Sequence, residues 1–424
     1  MKTVNVAIMG IGTVGGGAYD ILTANRDLIR RTRGLDICVT AVLDRSPEYV
    51  AKRTGGAARA ATLDEIIADK SISIVVETMG GVEPAKTFII KALLSGKSVV
   101  TANKELISKH WSELETAAKK GGAGLYFEAS CVGGVPVIRA LTMSMQGDNI
   151  TELTGIINGT TNYILTKMDE DGKSFDAALK EAQAAGFAEA NPAADVEGYD
   201  AMYKLSILSS LAFHTSVPYG CVYREGITAV TQSDVENGRA LGYTLKLLAI
   251  GRKRGDKIEV RVHPTFLPHN HPLAAVRNEF NAVFLKGDGV DDIMLYGRGA
   301  GARPTGSAIV SDIVTCAKAA EPTYSTFNNN GQLNPPTEIE QDFTSKYYLS
   351  LTLPDNAGTL SKITEILGNF GISIGAVIQK EASDGFARVL FLTHDTRENA
   401  VRGAIEKFKK SPRVKSVDSL IRVI

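Results

Sequence analysis

A glycine-rich turn directly after the first apolar segment constrains the fold of this chain more than any other feature. Residues 4–9 form a short apolar, strand-like segment, and Gly10, Gly12 and Gly15 follow it with the spacing G-x-G-x-x-G. A helical pattern then continues to about Arg31, so the glycines stand between a strand and a helix. Gly10 permits a tight turn, Gly12 lets the backbone approach a pyrophosphate, and Gly15 allows close helix–strand packing. This context predicts a dinucleotide-binding turn, and a turn without a ligand is the alternative.

Strand-like and helix-like segments alternate through the first third of the chain, which predicts a doubly wound parallel sheet of the Rossmann type. The segment 37–43, with the sequence ICVTAVL, is rich in β-branched residues and predicts the second strand. We expect a dinucleotide-binding domain over residues 1–130, with the helical segment 302–320 packed back on it. Residues 131–320 mix both patterns, including a predicted helix at 236–251, and indicate an α+β catalytic and dimerisation domain with a mixed sheet.

The composition changes at residues 321–345, which predict a linker before a compact C-terminal domain. Residues 346–424 follow the order βαββαβ, which is typical of a small ferredoxin-like domain. The residues that mark the linker are Asn328, Asn329, Asn330, Gly331, Pro335 and Pro336.

Charge and cysteine content narrow the class of protein. The 424 residues include 47 basic and 47 acidic side chains, so the net charge gives no reason to expect nucleic acid or a membrane as partner. The 4 cysteines form no C-x-x-C pair, which indicates neither a zinc site nor a disulfide framework. No apolar run reaches the roughly 18 residues of a membrane span. We therefore expect a cytoplasmic protein of a reducing compartment.

The end of the second predicted strand offers two side chains with opposite implications for the cofactor. Asp44 can accept hydrogen bonds from ribose hydroxyls, which favours NAD, whereas Arg45 can hold a 2′-phosphate, which favours NADP. Lys52 and Arg53 could also reach a phosphate, although solvated charges are the simpler interpretation. Both cofactors stay open at this point, and the expectation leans towards NADP.

Two lysines are candidates for the chemistry. Lys104 lies just beyond a predicted parallel strand, on the side of the sheet where ligands bind. Lys204 lies within an apolar helical pattern at 201–212, where a lysine needs a partner or a function. Asp200 precedes Lys204 by four residues and shares its helix face, so an exposed ion pair is the alternative. A desolvated lysine at this place could give a proton to an alkoxide formed by hydride transfer.

A tight turn after the fifth predicted strand offers oxygen ligands only. Glu128 supplies a carboxylate, and residues 129–136 supply backbone carbonyls, a set that suits a hard cation. A domain-connecting turn with Glu128 hydrogen-bonded locally is the alternative. Cys131 in this turn has no identifiable base nearby, so an inert thiol is the simpler interpretation.

The stretch 182–204 carries the pattern A-x3-G, an aromatic residue, Asn-Pro, and then D-V-x-G-x-D-x3-K. This pattern resembles the signature of homoserine dehydrogenases, and every position of it is filled. The segments 102–104, 155–165 and 297–301 are also similar to that family, and the resemblance covers roughly residues 1–320. It implies the reversible reduction of L-aspartate 4-semialdehyde to L-homoserine with NADPH or NADH, a step towards threonine and methionine.

The resemblance also implies roles for individual residues. Lys204 would be the proton donor, and Lys104 would bind substrate and assist. Glu189, Asp195 and Asp200 would hold the ammonium group of the substrate or orient the lysines. A site of the sodium type would use Glu128 and the backbone carbonyls of Cys131, Gly133 and Val135. Together with Arg45, the expected cofactor contacts are Gly10, Gly12, Thr13, Val14, Gly15, Thr78, Lys104 and Gly301.

The C-terminal domain resembles an ACT domain, a small regulatory module that binds amino acids. The loop 354–358 leads into a helix with an apolar face, and such loops often bind an effector at a subunit interface. We expect threonine as the effector and a homodimer or homotetramer as the assembly, with a purely structural dimerisation domain as the alternative.

Two other functions fit part of the pattern. A non-catalytic nicotinamide and amino-acid sensor would keep the fold, but it would not need a proton donor such as Lys204. An enzyme of the aspartate-semialdehyde dehydrogenase type would act on the same aldehyde, and it would need Cys131 as a nucleophile with a base beside it.

Overall fold

The structure, a computed structural model, describes residues 1–323, 338–380 and 384–424. Its N-terminal part is a six-stranded parallel sheet with the strand order β3-β2-β1-β4-β5-β6. The elements of this part are β1 (Lys2–Met9), α1 (Thr13–Ala24), α2 (Arg26–Arg33), β2 (Leu35–Leu43), α3 (Pro47–Thr54), β3 (Arg59–Ala60), α4 (Leu63–Ala68), β4 (Ile72–Glu77), α5 (Ala85–Leu94), β5 (Ser98–Thr101), α6 (Lys104–Gly121) and β6 (Leu125–Tyr126).

This strand order is that of the predicted Rossmann fold. The residues of β1 from Val6 to Met9 are fully buried, because helices cover both faces of a parallel sheet. The order reverses between β1 and β4, and in such sheets ligands bind at that switch point, beyond the carboxyl ends of the strands. The glycine turn after β1 and Lys104 after β5 both lie at this edge.

The middle part combines helices with a mixed sheet, as predicted. Its strands β7, β9, β10, β11 and β12 form one run with the order β12-β11-β7-β9-β10. The elements are α7 (Val137–Arg139), β7 (Ile150–Ile156), α8 (Gly159–Asp171), α9 (Phe175–Ala184), α10 (Ala193–Val196), α11 (Tyr199–Phe213), β8 (Tyr223–Arg224), α12 (Gln232–Ala240), β9 (Tyr243–Arg254), β10 (Lys257–Pro268), β11 (Phe280–Gly287), β12 (Asp291–Arg298) and α13 (Ala302–Lys318).

The helix α13 returns to the N-terminal part and packs against α1. The two helices approach so closely that a methyl group at Gly17 would lie 2.1 Å from the carbonyl oxygen of Ala302. A methyl group at Gly306 would lie 2.6 Å from the carbonyl carbon of Gly17. Glycine at both positions therefore permits the contact by which the chain returns to its first sheet.

The helix predicted at 236–251 is wrong in its second half. The helix α12 ends at Ala240, and β9 runs from Tyr243 to Arg254. The sequence YTLKLLAIGRKR contains good helix formers, but β9 pairs with β10 along twelve positions and with β7 on its other side. Pairing on both edges decides the backbone conformation here, since tertiary contacts override weak local propensity.

The C-terminal part has the predicted order βαββαβ, and its four main strands lie in the order β18-β14-β16-β15. Part of the predicted linker 321–345 is strand, because β13 pairs with β10 and β14 begins at Thr344. The marker residues 328–331 and 335–336 lie outside the described residues. The elements are β13 (Glu338–Ile339), β14 (Thr344–Pro354), α14 (Thr359–Asn369), β15 (Ile374–Gln379), β16 (Phe386–Thr393), β17 (Thr396–Arg397), α15 (Glu398–Lys409) and β18 (Ser416–Val423).

The middle and C-terminal sheets are continuous. Thr265 and Phe266 of β10 pair in parallel with Arg422 and Val423 of β18, so the two sheets form a single twelve-stranded sheet. None of the helices in the described parts is long and apolar enough to span a membrane.

Candidate active site

The glycine turn after β1 has the geometry that a dinucleotide requires. Gly10 has a φ of +90°, and its N–H donates to the carbonyl oxygen of Leu43 at 2.8 Å. The Thr78 hydroxyl donates to the carbonyl oxygen of Gly10 at 2.6 Å. A methyl group at Gly15 would lie 2.0 Å from that oxygen, whereas one at Gly12 would contact nothing within 4 Å. The turn is thus closed on the strand side and open at Gly12, where a pyrophosphate fits at the N-terminus of α1.

The side chains at the end of β2 differ in how far they are engaged by other groups of the protein. Both carboxylate oxygens of Asp44 accept backbone N–H groups, from Ile11 at 2.9 Å and from Arg45 at 2.7 Å. The guanidinium of Arg53 is held by Asp20 through a two-point ion pair. Arg45 is exposed, and its side chain has no hydrogen-bond or ion-pair partner among the described residues. It is therefore the cation at this strand end that is free to meet a ligand.

Two lysines from separate parts of the chain converge on one buried carboxylate. The Nζ of Lys204 donates to Asp200 Oδ2 at 2.7 Å and to the carbonyl oxygen of Ile157 at 2.9 Å. The Nζ of Lys104 lies 3.2 Å from Asp200 Oδ1. These contacts form because α6 and α11 pack in one core, to which Leu106 and Leu205 belong. The Lys204 side chain is 11% exposed and that of Lys104 is 41% exposed, so Lys104 is the more accessible of the two.

A second polar layer holds Asp200 in place. Asn158 caps α8 by accepting from the Thr161 N–H at 2.9 Å, and its amide group donates to Asp200 at 2.9 Å and to Asp195 at 2.7 Å. Residues 155–165 carried the family resemblance, but no separate role was predicted for Asn158. An asparagine directly before a helical pattern is the signal that could have identified the cap.

The charges in this cluster shift the pKa values of its members in different directions. Burial acts to raise the pKa of Asp200, but Lys204 and Lys104 outweigh it and hold that pKa far below the usual range. Asp200 in turn raises the pKa of Lys104, so this lysine stays protonated. Burial, followed by the negative charge of Asp200, raises the pKa of Asp195. The result is a site with two ammonium groups around one permanent anion, next to a more readily protonated carboxyl group.

Lys104 is positioned by a buried acid that the sequence analysis missed. Glu77, at the end of β4, is fully buried, and burial raises its pKa. It accepts from the Thr101 hydroxyl at 2.6 Å, and Thr101 Oγ1 accepts from the Asn103 N–H at 3.0 Å. Asn103 then caps α6 by accepting from the Leu106 N–H at 3.1 Å. A glutamate that ends an otherwise apolar strand is the signal in the sequence for this network.

Not every predicted site residue joins the cluster. The Glu189 side chain is exposed and contacts neither lysine. Thr13 and Val14 begin α1, beside the glycine turn, and Gly301 precedes α13 with a φ of +114°. Lys104, Asp195, Asp200 and Lys204 are therefore brought together by the fold, whereas Glu189 is not.

The turn after β6 has the oxygen-rich character that the sequence indicated. Glu128 is buried, and its carboxylate accepts the N–H groups of Ile138 at 3.0 Å and Arg139 at 2.7 Å. Burial, and then the charge of Asp312, raises the pKa of Glu128 to about 7. Val132 and Gly133 both have a φ of +55°, which makes the turn tight. Arg139, which pairs with Asp312 at 2.8 Å, offsets part of this repulsion, and a hard cation at the turn would offset more of it.

The other predicted cation ligands lie in the same turn, as backbone groups. The carbonyl oxygen of Val135 accepts from the Val137 N–H at 2.9 Å, and Gly133 packs against Gly299. The Cys131 thiol is fully buried, and burial raises its pKa to about 12. Such a thiol is not a nucleophile near neutral pH, and this argues against an aldehyde-oxidising, phosphate-forming enzyme.

Comparison with known proteins supports the resemblance. The chain matches family models described as homoserine dehydrogenase at residues 136–314, the NAD-binding domain of homoserine dehydrogenase at 10–128, and the ACT domain at 347–413. The homoserine dehydrogenase of Neisseria gonorrhoeae is 40% identical over 431 residues, which is 100% of this chain and 99% of the relative. The chain belongs to the homoserine dehydrogenase family. The Bacillus subtilis homoserine dehydrogenase is 38% identical over 432 residues, again 100% of this chain and 99% of the relative.

Solved homoserine dehydrogenases share the whole architecture. The structure from Thiobacillus denitrificans is 39% identical and aligns with a TM-score of 0.94 over 100% of this chain and 99% of that one. The Staphylococcus aureus structure at pH 8.5 aligns with a TM-score of 0.76 at 32% identity over 100% and 99%. A hyperthermophilic archaeal homoserine dehydrogenase in complex with NADPH aligns with a TM-score of 0.64 at 30% identity, over 75% of this chain and 99% of that one. The predicted fold class is thereby confirmed, and the chain is a nicotinamide-dependent oxidoreductase with a C-terminal ACT domain.

Proposed function

We propose that this homoserine dehydrogenase reduces L-aspartate 4-semialdehyde to L-homoserine, reversibly, with Lys204 as the proton donor. The observation that carries the assignment is the Lys204 ammonium group, bonded to Asp200 and to the Ile157 carbonyl, with the partly exposed Lys104 on the same carboxylate. Two anchors fix the direction of this group, and a third N–H remains for the substrate oxygen. General acid catalysis needs a proton held within hydrogen-bond reach of the developing alkoxide.

The two lysines have different tasks in this scheme. The glycine turn would hold a nicotinamide cofactor, which would supply the hydride chemistry at the aldehyde carbon in either direction. Lys204 donates its proton to the aldehyde oxygen, while Lys104, at 3.2 Å from Asp200, binds the substrate and adds positive charge. Asp195 accepts one hydrogen bond, from Asn158, and keeps capacity for the ammonium group of the substrate. Glu189, whose side chain is exposed, is proposed as a second carboxylate for that ammonium group.

The decisive experiment removes the proton donor. We expect Lys204→Ala to lower kcat for homoserine oxidation by a factor of ~10²–10⁴, the usual contribution of a general acid, with cofactor binding nearly intact. Turnover is followed by nicotinamide absorbance, and cofactor binding by fluorescence titration. Lys167→Ala is the control, because the Lys167 side chain pairs with Asp171 and lies over the Tyr163 ring, neither of which belongs to the lysine cluster, and it should leave turnover unchanged. Normal turnover of Lys204→Ala would refute the assigned role, and binding without turnover in the unmodified chain would indicate a sensor.

Cofactor and cation preferences are further parts of the proposal. The free side chain of Arg45, together with the engaged oxygens of Asp44, supports NADP over NAD. Initial rates with the two cofactors test this preference directly.

The buried Glu128 with the carbonyls of Cys131, Gly133 and Val135 would hold a sodium ion that stabilises the turn. We also propose a cytoplasmic homodimer or homotetramer.

Regulation is assigned to the ACT domain, with threonine as the effector. The loop 354–358 leads into α14, and Gly358 at its end has a φ of +83°. We expect millimolar threonine to inhibit homoserine oxidation and to bind in calorimetry. Serine, which lacks the β-methyl group, is the control ligand. Full activity at millimolar threonine, with no heat of binding, would refute this assignment.

A further inference from the structure

A cluster of charged side chains with a buried centre joins the ACT domain to the middle domain. We call Tyr223, Glu225, Glu398, Arg402 and Arg422 the junction cluster. The Arg422 side chain is 1% exposed and that of Glu398 is 4% exposed. Two cations and two carboxylates balance each other, so the charges can remain buried as long as every member is in place.

Arg422 is the centre of this cluster. Its guanidinium donates to the Tyr223 hydroxyl at 2.7 Å, to Glu398 Oε2 at 3.2 Å and to Glu225 Oε1 at 3.2 Å. Arg402 donates to Glu398 at 2.8 Å and also contacts Tyr223 and Glu225. Arg422, Arg402 and Glu398 come from the ACT domain, whereas Tyr223 and Glu225 belong to the middle domain. The cluster is therefore a cross-domain contact in which each arginine bonds side chains of both domains.

The backbone places the two sides of the cluster along one strand edge. On the same strand β10, Arg261 and Val262 pair with β8 at Tyr223 and Arg224, and Thr265 and Phe266 pair with β18. The ACT strand and the short strand β8 are thus successive neighbours of β10. A displacement of β18 would therefore also displace β8, both through their shared partner β10 and through the junction cluster.

The residues that follow β8 contact the segment that precedes α11, the helix that carries Asp200 and Lys204. The Ile227 N–H donates to the carbonyl oxygen of Val196 at 2.8 Å. A methyl group at Gly226 would lie 2.3 Å from that oxygen and 2.5 Å from the Cα of Glu197. Gly198, which has a φ of +84°, precedes α11 and packs against Arg224. Residues 225–227 therefore have no free space against residues 196–198.

The segment 196–198 connects the substrate-side acid to the catalytic pair. Asp195 lies directly before it, Asp200 lies two residues after it, and Lys204 follows one helical turn later. We propose that Arg422 is a positioning residue, which acts through Glu225 and Gly226 to set the position of Asp195 and Asp200 at the substrate. This proposal rests on the proposed function, and it makes the ACT domain a structural part of the active site.

The test uses the full chain and separates substrate binding from general loss of structure. We expect Arg422→Met to raise KM for homoserine and lower kcat/KM by about tenfold or more, since displacement of positioned groups by 1 Å has effects of this size. KM for the nicotinamide should stay within about twofold, because the glycine turn lies on another domain. Arg422→Lys keeps the charge but not the two-point geometry, so partial recovery is expected.

A second variant avoids the loss of a buried charge. Gly226→Ala leaves every member of the junction cluster in place and pushes a methyl group against Val196 and Glu197. The same rise in KM for homoserine is expected. The matched control is Arg388→Met, because Arg388 also crosses from the ACT domain to the middle domain, to Ser233 on α12 at 2.5 Å, away from α11. This control should keep both KM values.

The outcomes distinguish this proposal from the proposed function. An unmodified chain that is inactive with homoserine would refute the function, whatever the variants do. An active unmodified chain refutes the positioning role in two cases. In the first case, KM for homoserine and kcat are unchanged in Gly226→Ala and in any folded Arg422 variant, with kcat calculated per nicotinamide-binding chain. In the second case, the control Arg388→Met raises KM for homoserine as much as the Arg422 and Gly226 variants do.

Discussion

Asp200 shows how much of this active site depends on a single buried carboxylate. It is 6% exposed, yet it remains ionised because both lysines and the Asn158 amide group bond to it. Two ammonium groups this close would repel each other without an anion between them. The fold thus concentrates positive charge around one aspartate, and in the proposed mechanism this charge stabilises the alkoxide that forms from the aldehyde oxygen.

A second buried lysine gives a pH-dependent prediction. Lys246 is 1% exposed and donates to Asn162 Oδ1 at 2.9 Å and to the carbonyl oxygen of Val276 at 2.5 Å. Burial lowers its pKa from the usual 10.5 to about 7. Between these values the unfolded chain binds the additional proton, so this lysine makes the folded state more stable as the pH rises.

We therefore expect the free energy of unfolding of the unmodified chain to rise relative to that of Lys246→Met as the pH increases from 7 to 9. The limiting slope for one proton is about 1.4 kcal/mol per pH unit. Urea unfolding of both chains at several pH values measures the difference, in which other titrating groups cancel. A difference that does not change with pH would show that Lys246 titrates normally in the folded chain.

At the level of elements, the close packing of α13 against α1 supports the glycine turn, because α1 begins at that turn. Gly17 and Gly306 let the two backbones touch, and α1 begins directly after the glycine turn. Overpacking of a close contact typically costs about 1–3 kcal/mol. We expect Gly17→Ala and Gly306→Ala each to lower the free energy of unfolding by this amount and to weaken nicotinamide binding.

The control for this prediction is another glycine-to-alanine change within a helix. Gly368 lies in α14, and a methyl group there would contact nothing within 4 Å. Alanine at this position should be neutral or slightly stabilising, because it reduces the freedom of the unfolded chain. Thermal unfolding and fluorescence titration measure both effects. If Gly17→Ala matches Gly368→Ala in stability, the helix crossing is looser than the structure indicates.

The element boundaries predicted from the sequence agree with the structure where the pattern is local. They are wrong where strand pairing determines the backbone conformation. The strand before the glycine turn, the helix α13 and the order βαββαβ were all predicted and are present. In contrast, β9 resembled a helix because Leu, Lys and Ala favour helices, and only its two neighbouring strands make it extended. The short strand β13 was assigned to a linker for the same reason, since its partner β10 is distant in sequence.

For the whole molecule, the continuous sheet predicts that the middle and ACT domains unfold together. Tyr348 of the ACT domain packs edge-on against Phe266 of β10 at 5.2 Å, and its hydroxyl accepts from the Asn237 amide group at 3.0 Å. Both rings belong to the largest core of the molecule. We expect Tyr348→Ala to lower the free energy of unfolding by about 3–5 kcal/mol and to shift the unfolding of both domains.

Calorimetry and activity loss on heating together measure this prediction. The control is Val377→Ala on β15, where the side chain is 39% exposed and the cost should be small. An ACT transition that moves alone in Tyr348→Ala, while the middle domain unfolds at its original temperature, would contradict the coupling.

The sequence by itself determined the features that depend on short-range geometry. The spacing of Gly10, Gly12 and Gly15 specifies a turn that few other residues allow, and the four-residue spacing of Asp200 and Lys204 specifies an ion pair on one helix face. The family resemblance added the roles of Lys104 and Asp195, which the fold brings to the same place.

Only the tertiary structure decided which distant groups complete the site. Asn158, Glu77 and the junction cluster around Arg422 act through contacts between residues that are far apart in the chain. Glu189, by contrast, fits the signature but stays exposed. Local patterns encode backbone conformation, whereas these contacts depend on how the sheets and helices pack, which no short segment specifies.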